Sequence, residues 1–128
     1  TMPSQSNTSF LYAGFEFGYP DNQKLVSPEG KFEAGYQHSD GNFCVYEKST
    51  GRCTWHTDTS NKDAMRLIMQ TDGNLVMYDK KGKAIWASDT ANSQKHETSR
   101  LAMQDDGNLV IYTDHGPVWD ILSKRQCH

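Results

Sequence analysis

The sequence lacks long apolar runs and a marked excess of charge of either sign. No apolar run comes near the roughly 20 residues that a membrane-spanning helix needs, so we expect no membrane insertion. Thirteen Lys and Arg residues against sixteen Asp and Glu give a formal net charge of −3. This balance leaves no basic surface of the kind that nucleic acid requires, and nucleic-acid binding is excluded as a leading function.

Cysteine is also scarce, with Cys44, Cys53 and Cys127 as its three occurrences. Three cysteines exclude a disulfide-dense scaffold, and their odd number leaves one thiol unpaired or paired between chains. There is no Cys-x-x-Cys pair, and the five histidines show no metal-ligand spacing. We therefore expect neither a metal nor another cofactor.

The chain is rich in turn-forming residues, and its length is that of one domain. The 128 residues include ten glycines and only 35% apolar residues, while aromatic residues reach 11%. The aromatic content argues against disorder. Many Asn, Asp, Ser, Thr and Gly residues between short apolar stretches favour an all-β fold of short strands joined by tight turns.

An internal repeat organises most of the sequence. Segments 67–78 and 101–112 differ at only three of twelve positions, at an offset of 34 residues, and a weaker copy occupies 38–46. Each copy is followed by a tryptophan, which is Trp55, Trp86 or Trp119. Three β units with one tryptophan each predict pseudo-threefold packing around a core of three indoles. Residues 10–31 are expected to add strands that complete the first or the last unit.

Side-chain alternation gives each repeat a polar face and an apolar face. In the second copy Leu75 and Met77 are predicted to face the core, while the intervening residues present a carboxylate, amides, a phenol and a small apolar patch. Such groups match the hydroxyls and C–H surfaces of a sugar. A straight strand would separate Asp72 from Tyr78 by about 20 Å, so the strand must curve or the tyrosine must lean back. The competing interpretation is an Asp-Gly-Asn turn whose side chains bond their own backbone.

These residues carry a family resemblance. The segment Gln70-Thr-Asp-Gly-Asn-Leu-Val-Met-Tyr78 resembles the Gln-x-Asp-x-Asn-x-Val-x-Tyr motif of the bulb-type (monocot) mannose-binding lectins. Segment 104–112 has all five motif residues as well. The resemblance implies a β-prism II fold with three four-stranded antiparallel sheets around a pseudo-threefold axis. It implies one lectin domain over residues 10–122, between a flexible tail 1–9 and a tail 123–128.

The resemblance also implies roles for the motif residues. Asp and Asn would bond the O2 hydroxyl of mannose, Gln the O3 and Tyr the O4, while Val would pack against the C3–C4 face. Neither catalysis nor a bound metal is implied. The residues so assigned are Gln70, Asp72, Asn74, Val76 and Tyr78 in the second copy and Gln104, Asp106, Asn108, Val110 and Tyr112 in the third.

The first copy departs from this motif. His38 is aligned with the motif glutamine and Cys44 with the motif valine, whereas Asp40, Asn42 and Tyr46 match. We expect this degenerate site to bind weakly or not at all. Cys44 and Cys53 flank one hairpin turn and could form a disulfide across it, with geometry deciding the matter. Cys127 would then be free or linked to another chain.

The leading interpretation is a non-enzymatic lectin for mannose or mannose-rich glycans that acts in defence. Homodimers formed by exchange of the C-terminal strand, residues 117–122, would follow from the resemblance. A secreted or surface-facing location is favoured, and a cytoplasmic one stays open because no signal peptide is visible in the sequence.

Two other classes compete with this interpretation. One is a β-prism that binds proteins and has lost or altered its sugar sites. The other is an enzyme, which is disfavoured because Asp72 and Asp106 lie in separate units and form no obvious catalytic pair.

Overall fold

A computed structural model describes residues 8–19, 23–37, 39–91 and 98–123. These residues form twelve short strands, with no helix among them. No helix that is long and apolar enough to span a membrane occurs in these ranges. The strands are β1 (Phe10–Tyr12), β2 (Glu16–Gly18), β3 (Lys24–Val26), β4 (Phe32–Tyr36), β5 (Phe43–Glu47), β6 (Arg52–His56), β7 (Ala64–Met69), β8 (Leu75–Asp79), β9 (Ala84–Ala87), β10 (Arg100–Met103), β11 (Leu109–Thr113) and β12 (Gly116–Asp120).

The strands form three four-stranded antiparallel sheets, one for each repeat. The first sheet has the order β3-β4-β5-β6, the second β2-β7-β8-β9 and the third β1-β10-β11-β12. The three sheets predicted from the resemblance are thereby confirmed. Residues 10–31 supply further strands, as expected, but they complete all three units and not only the first or the last. These residues give one edge strand to each sheet, with β1 joining the third, β2 the second and β3 the first.

Each repeat is built in the same way from a central hairpin and an outer strand. A register shift lies between Met77 and Tyr78 against β9, and matching shifts precede Tyr46 and Tyr112. A bulge adds one residue to one strand and increases its twist, so the outer strand turns its tryptophan toward the middle of the molecule.

The core lies between the three sheets and confirms the predicted strand faces. Leu75 and Met77 are buried in it together with their equivalents on the other sheets. Trp55, Trp86 and Trp119 meet edge to face, with ring centroids 5.8–5.9 Å apart and interplanar angles of 74–76°. This geometry is favourable for aromatic pairs, and it joins all three sheets at one place.

The ends of the described chain bear on the predicted domain bounds. Thr8 and Ser9, assigned to the tail by sequence, are bonded to the first sheet: the Val26 N–H donates to the Thr8 carbonyl, and Ser9 Oγ donates to the Val26 carbonyl. Ser123 donates to the Asp120 carboxylate. Residues 1–7 and 124–128, which include Cys127, lie outside the described residues.

Candidate carbohydrate site

The two complete motifs each begin at the turn of a central hairpin. The Asn74 N–H donates to Asp72 Oδ1 over 2.9 Å, and the Asn108 N–H donates to Asp106 Oδ1 over the same distance. The glycine between them has a φ of 93° in one motif and 86° in the other, which favours a residue without Cβ. The turn interpretation therefore accounts for one oxygen of each aspartate. The second oxygen, Oδ2, has no hydrogen-bond partner among the described residues.

Glutamine and tyrosine come together in both motifs. Gln70 Nε2 donates to the Tyr78 hydroxyl oxygen over 2.5 Å, and Gln104 donates in the same way to Tyr112. This contact brings each tyrosine hydroxyl to the glutamine that lies two residues before the motif aspartate. The turn interpretation does not require this pair, since neither side chain bonds the turn backbone.

The motif asparagines connect the turn to the chain that follows the tryptophan strand. Asn74 Oδ1 accepts from Ser88 Oγ over 3.2 Å and from the Thr90 N–H over 3.3 Å. Asn108 Oδ1 accepts from two backbone N–H groups after β12, at 3.2 and 3.1 Å. Each amide oxygen is thus structural, and the amide Nδ2 is the group left to face a ligand.

Nδ2 has different surroundings in the two motifs. Asn108 Nδ2 donates one hydrogen bond to Asp120 Oδ2 over 2.9 Å. The position opposite the motif valine is Asp120 in the third sheet and Ala87 in the second, so Asn74 has no carboxylate at the corresponding place. The two complete motifs therefore have the same five residues, but among the described residues the asparagine Nδ2 has a carboxylate partner only in the third motif.

The floor and one wall of each site are apolar or aromatic. Val76 and Val110 are only 4% and 3% exposed, yet they lie outside the core cluster, on the motif face of their sheets. Arg66 lies over the Tyr78 ring at 5.5 Å and Arg100 over the Tyr112 ring at 5.6 Å. A cation above an aromatic face holds the ring in place.

In each complete motif the geometry pairs Gln with Tyr and Asp with Asn. Together the five predicted residues offer a carboxylate oxygen, an amide N–H, a second amide, a phenol and an apolar floor. These groups can donate to and accept from neighbouring hydroxyls while the floor packs against C–H groups. No group in the set is placed as a nucleophile with its own base.

Solved structures share this fold. A Japanese lectin from Marasmius oreades superposes with a TM-score of 0.79 at 31% identity, covering 93% of this chain and 94% of that one. The mannose-specific agglutinin of snowdrop (Galanthus nivalis), solved with methyl α-D-mannoside, gives a TM-score of 0.69 at 33% identity, covering 81% and 88%. The chain belongs to the bulb-type lectin family. Its three sheets form the β-prism II fold of that family.

A curated relative of this bulb-type lectin chain is the B-type lectin plumieribetin of Scorpaena plumieri. It is 45% identical over 67 residues, which are 52% of this chain and 56% of the relative. The matched part spans about half the length of the curated relatives. No family model matches the chain.

The first copy of the motif differs from its sequence alignment. The Gln37 N–H donates to the Asn42 carbonyl over 2.7 Å, as the Gln70 N–H does to the Asn74 carbonyl over 2.9 Å. Gln37, and not His38, therefore stands at the position of the motif glutamine. The alignment failed because this turn contains one extra residue; the glutamine five places before Asn42 was the available signal. His38 lies outside the described residues.

Other side chains also make the first copy unlike the complete motifs. Cys44 Sγ is placed to donate to Gln37 Oε1 over 3.7 Å, and Asn42 Nδ2 lies 3.2 Å from His56 Nδ1. Glu33 lies opposite Tyr46, where the complete motifs have arginine. Burial, followed by the hydrogen bond with Cys44, raises the pKa of Tyr46 above its ordinary value.

The disulfide between Cys44 and Cys53 is not formed, and both thiols are free. Cys44 lies opposite His56 and Cys53 opposite Tyr46, so the two cysteines form a diagonal pair. The two cysteines are therefore offset along the paired strands and do not lie directly opposite each other. Burial also raises the pKa of the Cys44 thiol to about 12, which keeps it protonated and unreactive at neutral pH.

Across the described ranges, no group of three or more His, Cys, Asp and Glu side chains is arranged to hold a metal ion. The named relatives are lectins, and a non-enzymatic function is the expectation that follows from the family.

Proposed function

We propose that this chain is a lectin for mannose or mannose-rich glycans. The second and third motifs would be its sugar sites, each holding one mannose residue over the motif valine. The observation that supports the proposal is the Gln–Tyr hydrogen bond in both motifs, together with an Asp oxygen that has no partner among the described residues. The snowdrop agglutinin, a mannose-specific relative of the same fold, supports mannose as the sugar.

The first copy is proposed as the weakest of the three. It has Gln37, Asp40, Asn42 and Tyr46, but Cys44 replaces the valine floor. The cavity beside it has a volume of about 200 Å³, against about 430 Å³ beside the second motif and about 370 Å³ beside the third. The Lys24 side chain lies over Gly35 and narrows the cavity beside the first motif. A Cβ added at Gly35 would lie 3.0 Å from Lys24 Cγ.

The single-site affinity should be low, because shallow polar sites bury little surface. We expect a Kd on the order of 1 mM, or about −4 kcal/mol, for a monosaccharide. Several sites acting together would then supply useful strength. Homodimers formed by exchange of residues 117–122, a role in defence and a secreted or surface-facing location are further parts of this proposal. In the structure β12 pairs with β11 of its own chain.

Replacement of the motif aspartates by asparagine tests the proposal. Asp72→Asn and Asp106→Asn keep an Oδ1 that can accept the turn hydrogen bond, but they replace the proposed sugar-accepting oxygen by an N–H donor. In NMR titrations with methyl α-mannoside we expect amide shifts over 70–78 and 104–112 in the unmodified chain. Each variant should lose affinity at its own motif at least about tenfold, the size of one charge-assisted hydrogen bond.

Asp79→Asn is the matched control. Asp79 is also on β8 and also accepts backbone hydrogen bonds through Oδ1, from the Lys81 and Lys83 N–H groups, but it lies outside the motif. This variant has the same change of charge and should bind as the unmodified chain does. Equal amide shifts with methyl α-glucoside would contradict mannose recognition. So would the absence of shifts with either sugar at high millimolar concentration. The remaining interpretation would then be a β-prism that binds proteins.

A further inference from the structure

The motif face of the third sheet continues onto its edge strand. Register places Phe10 opposite Ala102 and Tyr12 opposite Arg100, and Arg100 lies opposite Tyr112. Phe10 and Tyr12 therefore share the face that carries the third motif. Their ring centroids are 5.7 Å apart with an interplanar angle of 32°, and the residues are 37% and 51% exposed. We call these two rings the aromatic platform.

A cavity of about 370 Å³ lies between Phe10 of the aromatic platform and the motif, and Tyr12 does not line it. Pro28, from the loop between β3 and β4, also lines this cavity. That loop is fixed by a 2.9 Å hydrogen bond from the Glu29 N–H to Asp105 Oδ1. Two motif residues, Gln104 and Tyr112, line the same cavity, while Asp106 and Asn108 do not. The cavity therefore begins where the proposed mannose site ends.

The other two sheets carry different residues at these edge positions. The place of Phe10 is taken by Glu16 in the second sheet and by Lys24 in the first. The place of Tyr12 is taken by Gly18 and Val26. The cavity beside the second motif is lined by Gly14, Ile68, Gln70, Thr71 and Asp72, with no aromatic side chain. Among the described sheets, the platform belongs to the third motif alone.

We propose that the third motif continues into a subsite for a second neutral hexose residue, stacked on Phe10, whose ring is supported by the adjacent Tyr12 ring. The inference rests on the proposed function, because the first residue of the same oligosaccharide would occupy the motif. A hexose has an apolar C–H face that fits an aromatic ring, and its hydroxyls need donors and acceptors at the rim. Arg100 and Asp105 supply these at the cavity, and their opposite charges favour a neutral ligand.

The size of the platform argues for a sugar rather than a second copy of this chain. Stable protein interfaces bury more than about 1,000 Å² in total, which two partly exposed rings do not approach. Small-ligand sites of a few hundred Å³, in contrast, combine apolar walls with a few polar groups, as this cavity does.

The test compares a monosaccharide with an oligosaccharide at each motif. Methyl α-mannoside and an α-linked mannotriose are titrated into the full chain, and affinities are read from the amides of 70–78 and 104–112 separately. We expect the mannotriose to bind the third motif about tenfold more tightly than the monosaccharide, and the second motif with little gain. Phe10→Ala with Tyr12→Ala should remove the gain and leave the affinity for methyl α-mannoside unchanged.

Phe15→Ala is the matched control, because Phe15 is 64% exposed and follows the same edge strand without lining the cavity. It should keep the gain. Phe10→Leu keeps an apolar side chain on the strand edge but removes the ring, and it should also lose the gain in mannotriose affinity. This variant replaces the double alanine variant in the test if the latter does not fold.

Three results would overturn the subsite. The first is an equal gain in affinity for mannotriose at both motifs, and the second is a gain at the third motif that survives loss of the rings. The third is amide shifts at the platform that need no sugar and grow with protein concentration, which would indicate binding of a second copy of this chain. Absence of methyl α-mannoside binding at both motifs would instead overturn the proposed function.

Discussion

At the scale of single residues, the motif side chains use some polar atoms for structure and leave others for the proposed sugar contacts. Asp72 uses Oδ1 to close its turn, and Asn74 uses Oδ1 to hold Ser88 and Thr90. Ser88 is fully buried, and its Oγ also accepts a hydrogen bond from the Leu75 N–H, so Ser88 links Asn74 to the start of β8. Their recurrence is therefore explained by folding as well as by sugar binding. Two substitutions at one position can separate the two roles.

Asn74→Asp should keep stability and lose binding, whereas Asn74→Ala should lose both. Aspartate keeps an oxygen for the Ser88 and Thr90 donors but has no N–H for a sugar hydroxyl. Alanine leaves buried donors unsatisfied, and we expect the free energy of unfolding to fall by about 1–3 kcal/mol. Urea unfolding measures the stability, and mannoside titration at 70–78 measures the binding. Full binding by Asn74→Asp would show that Nδ2 does not contact the sugar.

At the scale of strands and turns, the sequence predicted what is local and repeated. The three units, the core faces of β8 and β11 and the tryptophan cluster all follow from patterns within one repeat. The position of Gln37 could not be read in this way, because one extra residue in a turn changes the alignment without changing the strand. The platform was also missed, since Phe10 pairs with Ala102 across more than ninety residues of sequence.

The first sheet has an ion-pair network around Glu33 on β4, at the position where the other two sheets have a stacked arginine. Glu33 on β4 accepts from Lys24 on β3 and from Lys48 after β5, both at 3.1 Å. Burial raises the pKa of Glu33, but the hydrogen bonds from the two lysines outweigh it and hold the pKa below its ordinary value of 4.5. The network thus joins three consecutive segments of the sheet.

Because the pKa of Glu33 is lowered on folding, its stabilisation should be present above about pH 4.5 and lost as pH falls through the folded value. We expect Glu33→Gln to lower the free energy of unfolding by about 1 kcal/mol at pH 7, a modest value because both lysines are partly exposed. Chemical unfolding of both proteins from pH 7 to pH 2.5 measures the difference. A difference that persists at the acid end would assign it to packing and not to charge.

At the scale of the whole molecule, the indole cluster places the two complete motifs on different sides of one body. They lie on the motif faces of the second and third sheets, whose opposite faces contribute to one shared core. The two proposed sugar sites would therefore not point at the same sugar. If both bind, a single chain could bridge two glycans without any oligomer.

This arrangement predicts cross-linking that depends on both motifs. The unmodified chain should precipitate a branched mannan, while Asp72→Asn or Asp106→Asn should each bind mannan yet fail to precipitate it, because one site cannot bridge. On a mannan-coated surface the apparent affinity of either variant should fall by about a hundredfold or more as two-site binding is lost. Asp79→Asn should precipitate normally. Precipitation by both single-motif variants would show that the first copy binds or that the chains associate, and sedimentation of each variant without mannan distinguishes these two explanations.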